Sequence, residues 1–326
     1  MRVRRRRFER QPQRQRRLLK PVISVGNLSM GGTGKTPVVA AIAQWLITQG
    51  HRPAILSRGY ARTDNVDGVV VVSDGREVRA TLEQSGDEPL MLARQVPGAV
   101  VCVSPDRYLS GTLAERQLGA TVHVLDDGFQ HVELARSVDV LVTTVGEIPN
   151  GKVIPLGRLR EPMDAAARAH VLVVSDATAG AASAEAWALG ISQSCGALRS
   201  LGAPEGVWDQ GSGIREQGSE TRDLRVLAVS GIANPDRFLS ALKDARWNVV
   251  DAMTFRDHHR YTSADASAIA AKASACGANA IFTTDKDAVR LEGLVESLHV
   301  PVYRVPLVIT FDPADALFDT VKAVLQ

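Results

Sequence analysis

Between Pro21 and Val174 the chain alternates between short apolar runs and stretches of helical character. Val22 to Val25, Ala54 to Leu56, Val69 to Val72, Val100 to Val103, Val122 to Leu125, Val138 to Val142 and Val171 to Val174 read as strands. Several are apolar throughout, as strands buried on both faces must be. Pro37 to Thr48, Glu88 to Gln95 and Asp106 to Leu118 read as helices between them. Strand and helix alternating in this way predict a mostly parallel sheet with covering helices. A length of 326 residues leaves room for about two domains. With 45% hydrophobic and 23% charged residues, the chain is neither disordered nor collagenous nor a small disulfide scaffold. No apolar run approaches the ~18 residues that a bilayer crossing needs. Cys102, Cys195 and Cys276 lie far apart without a CxxC pair, which argues against a structural zinc or a disulfide framework and fits a reducing, cytoplasmic compartment.

Composition shifts along the chain set the expected organisation. Residues 1–20 carry ten basic residues against the single acid Glu9, a local +9 that leaves −7 for the rest of a chain whose total is +2. Base rates make such an arm a solvated tail, and the functional alternatives are anionic lipid or nucleic acid. Nucleic acid is not expected, because the arm has one aromatic, Phe8, and the acidic body offers no basic platform for stacked bases. Residues 21–176 form the expected core domain. Residues 177–222, rich in Ala, Gly and Ser, read as a linker region, and residues 223–326 as a second, smaller α/β domain.

The first strand runs into Ser29-Met30-Gly31-Gly32-Thr33-Gly34-Lys35-Thr36, followed at once by a helix with Pro37 near its start. Glycines let backbone N–H groups turn around phosphate oxygens, and the helix N-terminus adds positive potential. Lys35 reaches the β and γ phosphates, and the Thr36 hydroxyl suits Mg²⁺. This is a P-loop in its strand-loop-helix setting, of the GGxGKT variety, since Ser29 stands where the strict pattern has glycine. The fold expected is therefore P-loop NTPase-like. Asp126 and Asp127 follow a strand where metal-holding carboxylates belong. A partitioning-type P-loop ATPase is the rival reading. Those proteins commonly carry a lysine before the glycines, where this chain has Met30.

Together with other runs, these motifs resemble the tetraacyldisaccharide 4′-kinase family of lipid A biosynthesis. The supporting runs include Ser57-Arg58-Gly59-Tyr60, Gly86-Asp87-Glu88-Pro89, Pro105-Asp106-Arg107, Asp126-Asp127-Gly128-Phe129-Gln130-His131, Gly157-Arg158-Leu159-Arg160-Glu161-Pro162, Asp257-His258-His259 and Thr284-Asp285-Lys286-Asp287-Ala288. The resemblance implies transfer of the ATP γ-phosphoryl group to the 4′-hydroxyl of a tetraacylated glucosamine disaccharide 1-phosphate, with ATP and Mg²⁺ as cofactors. It makes Asp87 the general base and His258 the histidine that pairs with it. Arg107 and Arg160 would meet phosphate charge, and Glu161 would join Thr36, Asp126 and Asp127 at the metal. Arg58, Gln130 and His131 would face the acceptor. Family members typically begin with a hydrophobic, membrane-embedding helix, whose place the arginine-rich arm takes here. The expected location is accordingly peripheral, on the cytoplasmic face of the inner membrane.

Overall fold

The structure is a computed structural model that describes residues 12–59, 62–64, 67–148, 151–207 and 224–325. The described chain divides into two compact units. One runs up to Arg199 and resumes at Ile309, and the other spans Ser200–Val308.

The first unit is built on a nine-stranded sheet. Its strands are β1 (Val22–Gly26), β2 (Pro53–Ser57), β3 (Val70–Asp74), β4 (Val100–Val103), β5 (Val122–Asp126), β6 (Val138–Thr144), β7 (Val171–Ser175), β8 (Ser194–Leu201) and β14 (Leu307–Asp312). Their spatial order is β14-β8-β7-β6-β1-β5-β2-β4-β3. Strand β1 lies between β5 and β6, parallel to both, with Val25 opposite Asp126 and Gly26 opposite Leu141. Strand β3 runs antiparallel to β4. All five residues of β1, β2, β5 and β7 are buried, as strands covered on both faces require.

Helix α1 (Lys35–Thr48) buries Val38, Val39, Ile42, Ala43 and Leu46, a three-and-four spacing that lays one stripe against the sheet. A single turn, α2 (Leu82–Ser85), and the helix α3 (Asp87–Gln95) share the junction Gly86, whose φ of 82° takes the backbone out of one and into the other. Helix α4 (Arg107–Leu118) starts at Asp106, whose carboxylate accepts from the backbone N–H groups of Tyr108 and Leu109 at 3.0 and 3.1 Å.

Part of the arm expected to be a solvated tail is docked on α4. Arg16 makes a two-pronged ion pair with Asp106 at 2.8 and 2.9 Å and lies over the Tyr108 ring. The Lys20 backbone donates to Glu115 at 2.7 Å, and Leu18 packs where Gly111 leaves no room for a side chain. Residues 1–11 of the arm lie outside the described residues.

Most of residues 177–207 of the expected linker is regular structure. Helix α5 (Ala179–Leu189) and strand β8 lie there, and β8 extends the sheet in parallel beside β7. The alanines of α5 favour helix but carry no large apolar side chain to mark a period. In β8 the buried residues Cys195, Gly196 and Ala197 are all small, so the strand does not read as an apolar run. The remainder of that stretch, 208–222, lies outside the described residues. The end of the expected second domain also belongs to the first unit. Strand β14 joins β8, and Trp45 of α1 stacks on Phe318 of α9 (Ala314–Lys322) at 5.0 Å.

The second unit has the strands β9 (Glu205–Gly206), β10 (Arg225–Ser230), β11 (Asn248–Thr254), β12 (Ala280–Thr284) and β13 (Val302–Val305), in the order β11-β10-β12-β13-β9. Strands β10 to β13 are parallel and β9 is antiparallel. Helices α6 (Pro235–Asp244), α7 (Ser263–Cys276) and α8 (Asp285–Leu291) complete it. The chain moves one way from β10 to β11 and then crosses to β12 on the other side, which makes the β10/β12 edge a topological switch point.

Candidate active site

The glycine loop leaves β1 and reaches α1 under restraint from three directions. Arg160 N–H donates to Leu28 O at 2.6 Å, and Met30 N–H donates to Arg158 O at 2.8 Å. The Arg158 guanidinium returns two hydrogen bonds to Met30 O, at 3.1 and 2.8 Å. Ser175 Oγ, at the end of β7, donates to Thr33 O at 2.7 Å. These contacts hold carbonyl oxygens on the flank of the loop. Gly31 has φ 125° and a Cβ there would meet the Arg158 side chain, while Gly34 enters the helix at φ 87°. Both positions therefore need glycine. Gly34 has no side chain with which to cap α1, so the first-turn N–H groups stay available to an anion. Ser29 and Thr33 are buried, Met30, Gly31 and Gly32 are exposed, and Lys35 and Thr36 are half-buried at the start of α1.

Two adjacent carboxylates at the end of β5 have opposite proton affinities. Burial, reinforced by the charges of Glu88 and Asp127, pushes Asp126 up to about 7, against the opposing pull of Lys35 and Ser57. Ser57 Oγ donates to Asp126 at 3.2 Å. Burial alone would also raise Asp127, but Lys35 and Arg160 hold it below the usual carboxylate range. Lys35 Nζ lies 3.5 Å from Asp127, and Arg160 Nη1 donates to both its oxygens at 3.0 and 2.8 Å. Asp127 sits at φ 52°, a left-handed turn that separates its side chain from that of Asp126.

Around this pair the structure gathers several residues singled out from the sequence. Arg160 also donates to Gln130 Oε1 at 3.2 Å, and Gln130 Nε2 donates to Asn27 O and to Glu161 at 2.9 and 3.3 Å. Arg168 donates to Glu161 at 3.2 Å from above the Phe129 ring. Arg107 is buried, close enough to Asp126, Arg58 and Asp127 for their charges to act on it, and burial lowers its proton affinity. Arg58 itself is exposed. Burial, and then the Arg107 charge, pushes His131 down to about 4, which leaves its imidazole neutral at pH 7. Asp87 is buried at the first position of α3 and accepts from the Glu88 N–H at 2.9 Å.

His258 belongs to the second unit, near its switch point. It has φ 57°, and its Nε2 accepts from Lys286 Nζ at 3.1 Å. Below it, the fully buried Asp287 accepts from Tyr261 at 3.1 Å, Thr284 at 2.7 Å and Arg290 at 3.2 Å.

A family profile described as Tetraacyldisaccharide-1-P 4'-kinase matches residues 1–326. The chain belongs to this family. A tetraacyldisaccharide 4'-kinase of Pelobacter propionicus is 41% identical over 315 residues, covering 95% of this chain and 85% of the relative. That of Geobacter sulfurreducens is 39% identical over 302 residues, covering 92% and 82%. Among solved structures, LpxK from Aquifex aeolicus in complex with ATP superposes with a TM-score of 0.79 at 27% identity, covering 99% of this chain and 94% of that one. The chain is thus a kinase of lipid A biosynthesis with the P-loop NTPase-like α/β fold expected from its sequence.

The chemistry of the donors fits a magnesium ion. Asp126 is a buried carboxylate whose raised proton affinity a divalent cation would relieve, and Asp127 and the Thr36 hydroxyl supply further hard oxygens. Among the described residues no group of three or more acids, histidines or cysteines forms a preassembled cage. That suits Mg²⁺, which takes one or two carboxylates and completes its shell with phosphate oxygens and water. Glu161 is engaged by Arg168 and Gln130.

Sequence reasoning passed over Glu88, Ser57, Arg158, Ser175 and Lys286. Glu88 and Arg158 lie inside motifs already noted, but only the structure shows Glu88 acting on Asp126 and Arg158 pinning Met30. Ser57 and Lys286 also lie inside quoted runs, but the bonds of Ser57 to Asp126 and of Lys286 to His258 appear only in the structure. Ser175 is a strand-end serine with no sequence signal.

Proposed function

We infer that the site at the ends of β1 and β5 carries out this family's reaction, with the individual roles assigned as follows. ATP lies with its phosphates on the loop from Ser29 to Thr36, cradled by the N–H groups of Gly31, Gly32, Thr33 and Gly34 and by the first turn of α1. Lys35 leaves its ion pair with Asp127 to meet the β and γ phosphates. Asp126, Asp127 and Thr36 would hold Mg²⁺, with Glu161 as the fourth candidate, and the ion would supply charge neutralisation on the phosphates. Arg107 and Arg160 oppose the negative charge that spreads over the transferring group.

Asp87 takes the proton of the acceptor 4′-hydroxyl as its oxygen bonds to the γ phosphorus. The bond from phosphorus to the β–γ bridging oxygen breaks, and ADP leaves with that electron pair. His258 is assigned to the same proton-transfer step, and Arg58, Gln130 and His131 to the acceptor. The product is lipid IVA. The acceptor's acyl chains are the reason to place the protein on the cytoplasmic face of the inner membrane, peripherally. No helix among the described residues is long and apolar enough to cross a membrane.

The observation that carries this reading is the carboxylate pair beside the pinned glycine loop, one member proton-hungry and the other bound to the loop's lysine. The test is incubation of the purified protein with ATP, Mg²⁺ and detergent-dispersed tetraacyldisaccharide 1-phosphate. One added phosphate on the acceptor and one ADP per product are expected. Acceptor-independent ATP consumption without a phosphorylated lipid would overturn the assignment.

A further inference from the structure

The exposed large apolar residues of the first unit are not scattered evenly. Leu19 and Trp187 stand alone, as single surface apolars commonly do. Val153, Ile154 and Leu156, by contrast, share one loop with Pro155, and all four residues are exposed, Leu156 at 82%. Val145, exposed at 59%, lines the same hollow as Leu156.

This loop is well tied. Ile154 N–H donates to Leu159 O at 2.9 Å, Leu159 N–H to Lys152 O at 3.0 Å, and Leu156 N–H to Val153 O at 3.0 Å. Leu159 is buried beneath it, and Gly157 has no room for a side chain because Lys152 O lies 2.3 Å from where its Cβ would be. The backbone register therefore fixes which side chains point in and which point out, and it sends successive apolar ones into solvent. Nothing on the sheet side would stop them from being polar.

The loop is also continuous with the phosphate site. Its next residues are Arg158, which pins Met30 O, and Arg160, which binds Asp127. Met30, at the tip of the glycine loop, is itself exposed at 53%. Lys152 and Arg158 flank the apolar run with positive charge. The acid on the same hollow, Glu147, is turned toward the end of β6, where it accepts from the Thr143 and Thr144 hydroxyls.

We propose that the Lys152–Arg158 loop is a bilayer-docking element that inserts Val153, Ile154 and Leu156 among phospholipid acyl chains, with Lys152 and Arg158 at the headgroup level. Consecutive outward side chains on a tight turn suit insertion into a planar interface, where apolar burial and attraction of cations to anionic headgroups add. The proposal deepens, and rests on, the reading of the substrate as an acylated lipid, because it brings the phosphate loop to the surface in which such a lipid resides.

The test uses the full chain and vesicles of phosphatidylcholine with a minority of phosphatidylglycerol, in a salt series that screens the arginine arm. Leu156→Asp is expected to lower vesicle partitioning ~10-fold or more at high salt, given the transfer cost of an apolar side chain. ATP binding and circular dichroism should be unchanged. Leu156→Trp should gain fluorescence quenching by acyl-brominated lipid beyond that of the native tryptophans. Equal partitioning of wild type and Leu156→Asp, or no added quenching, overturns the proposal. So does unchanged partitioning with a raised KM for micelle-dispersed acceptor, which would give the loop to a substrate acyl chain instead. If wild type phosphorylates no disaccharide lipid while Leu156→Asp still loses vesicles, the docking element stands and the assigned reaction falls.

Discussion

The carboxyl ends of the two parallel sheets are built on opposite plans. At the β1/β5 end of the first unit, backbone is the main instrument. Glycines open a loop, carbonyls are tied off by Arg158 and Ser175, and a helix start is left without a cap. At the β10/β12 end of the second unit, side chains satisfy one another around the buried Asp287. The product there is a single presented residue, His258, in a left-handed turn. A site that must grip a polyanion needs many weakly positive donors in an arc. A site that offers one imidazole needs a stiff base beneath it.

If the first plan is the one that performs chemistry, its side chains should show it in rate. Asp87→Asn keeps the shape but accepts no proton, and should reduce kcat by ~10² to 10⁴ in a steady-state assay. A loss below tenfold breaks the assignment. Lys35→Ala should cost ~10² to 10³ in kcat/KM, the usual cost of one positioned donor, with the melting temperature little changed. The second plan should answer in stability. Asp287→Asn weakens three hydrogen bonds to a buried carboxylate and should cost about 2–3 kcal/mol in urea unfolding, whereas His258→Ala should lower kcat with little change in stability. Were Asp287→Asn as stable as wild type, the contrast between the two ends would dissolve. Arg158→Ala should act more gently, raising the KM for ATP ~3- to 10-fold by releasing Met30 O, with kcat held.

The subtlest effect concerns Asp126. Its folded proton affinity, about 7, lies above the ordinary value of 3.8. The folded state therefore binds the proton more tightly than the unfolded chain, and this group's contribution to stability is complete below pH 3.8 and lost as pH rises through about 7. The nucleotide-free wild type should lose melting temperature over that window relative to Asp126→Asn. Parallel melting profiles would show that Asp126 is already ionised in the empty site.

Most of the first sheet was legible because its strands are apolar runs and its functional turns carry glycine or paired acids. The glycine loop, Asp126, Asp127 and the central strands needed no coordinates. What the sequence hid shares one physical cause: small or polar residues used structurally. The alanines of α5, the Cys195-Gly196-Ala197 core of β8 and the serines that steady the site lack the bulk or periodicity that betrays burial. The second unit's polar network was invisible for a related reason, since Tyr261, ahead of α7, meets Thr284 and Arg290 at Asp287 and no local pattern records a meeting set by topology. The reach of the arginine arm onto α4 was likewise unreadable, because an ion pair such as Arg16 with Asp106 joins positions with no sequence relation.

The return of the chain from the second unit to β14 bears on how the protein is made. Strand β8 leaves the ribosome before the second unit, but its neighbour β14 follows that unit. At ~5–20 residues per second, the edge of β8 stands open for on the order of 5–20 s on each nascent chain. An unpaired strand edge is a template for other chains. Arg199 on that strand has its guanidinium tied to Asp176, the residue after β7. The enzyme's first sheet is thus completed last, and its yield in the cell should depend on how quickly the intervening hundred or so residues are synthesised.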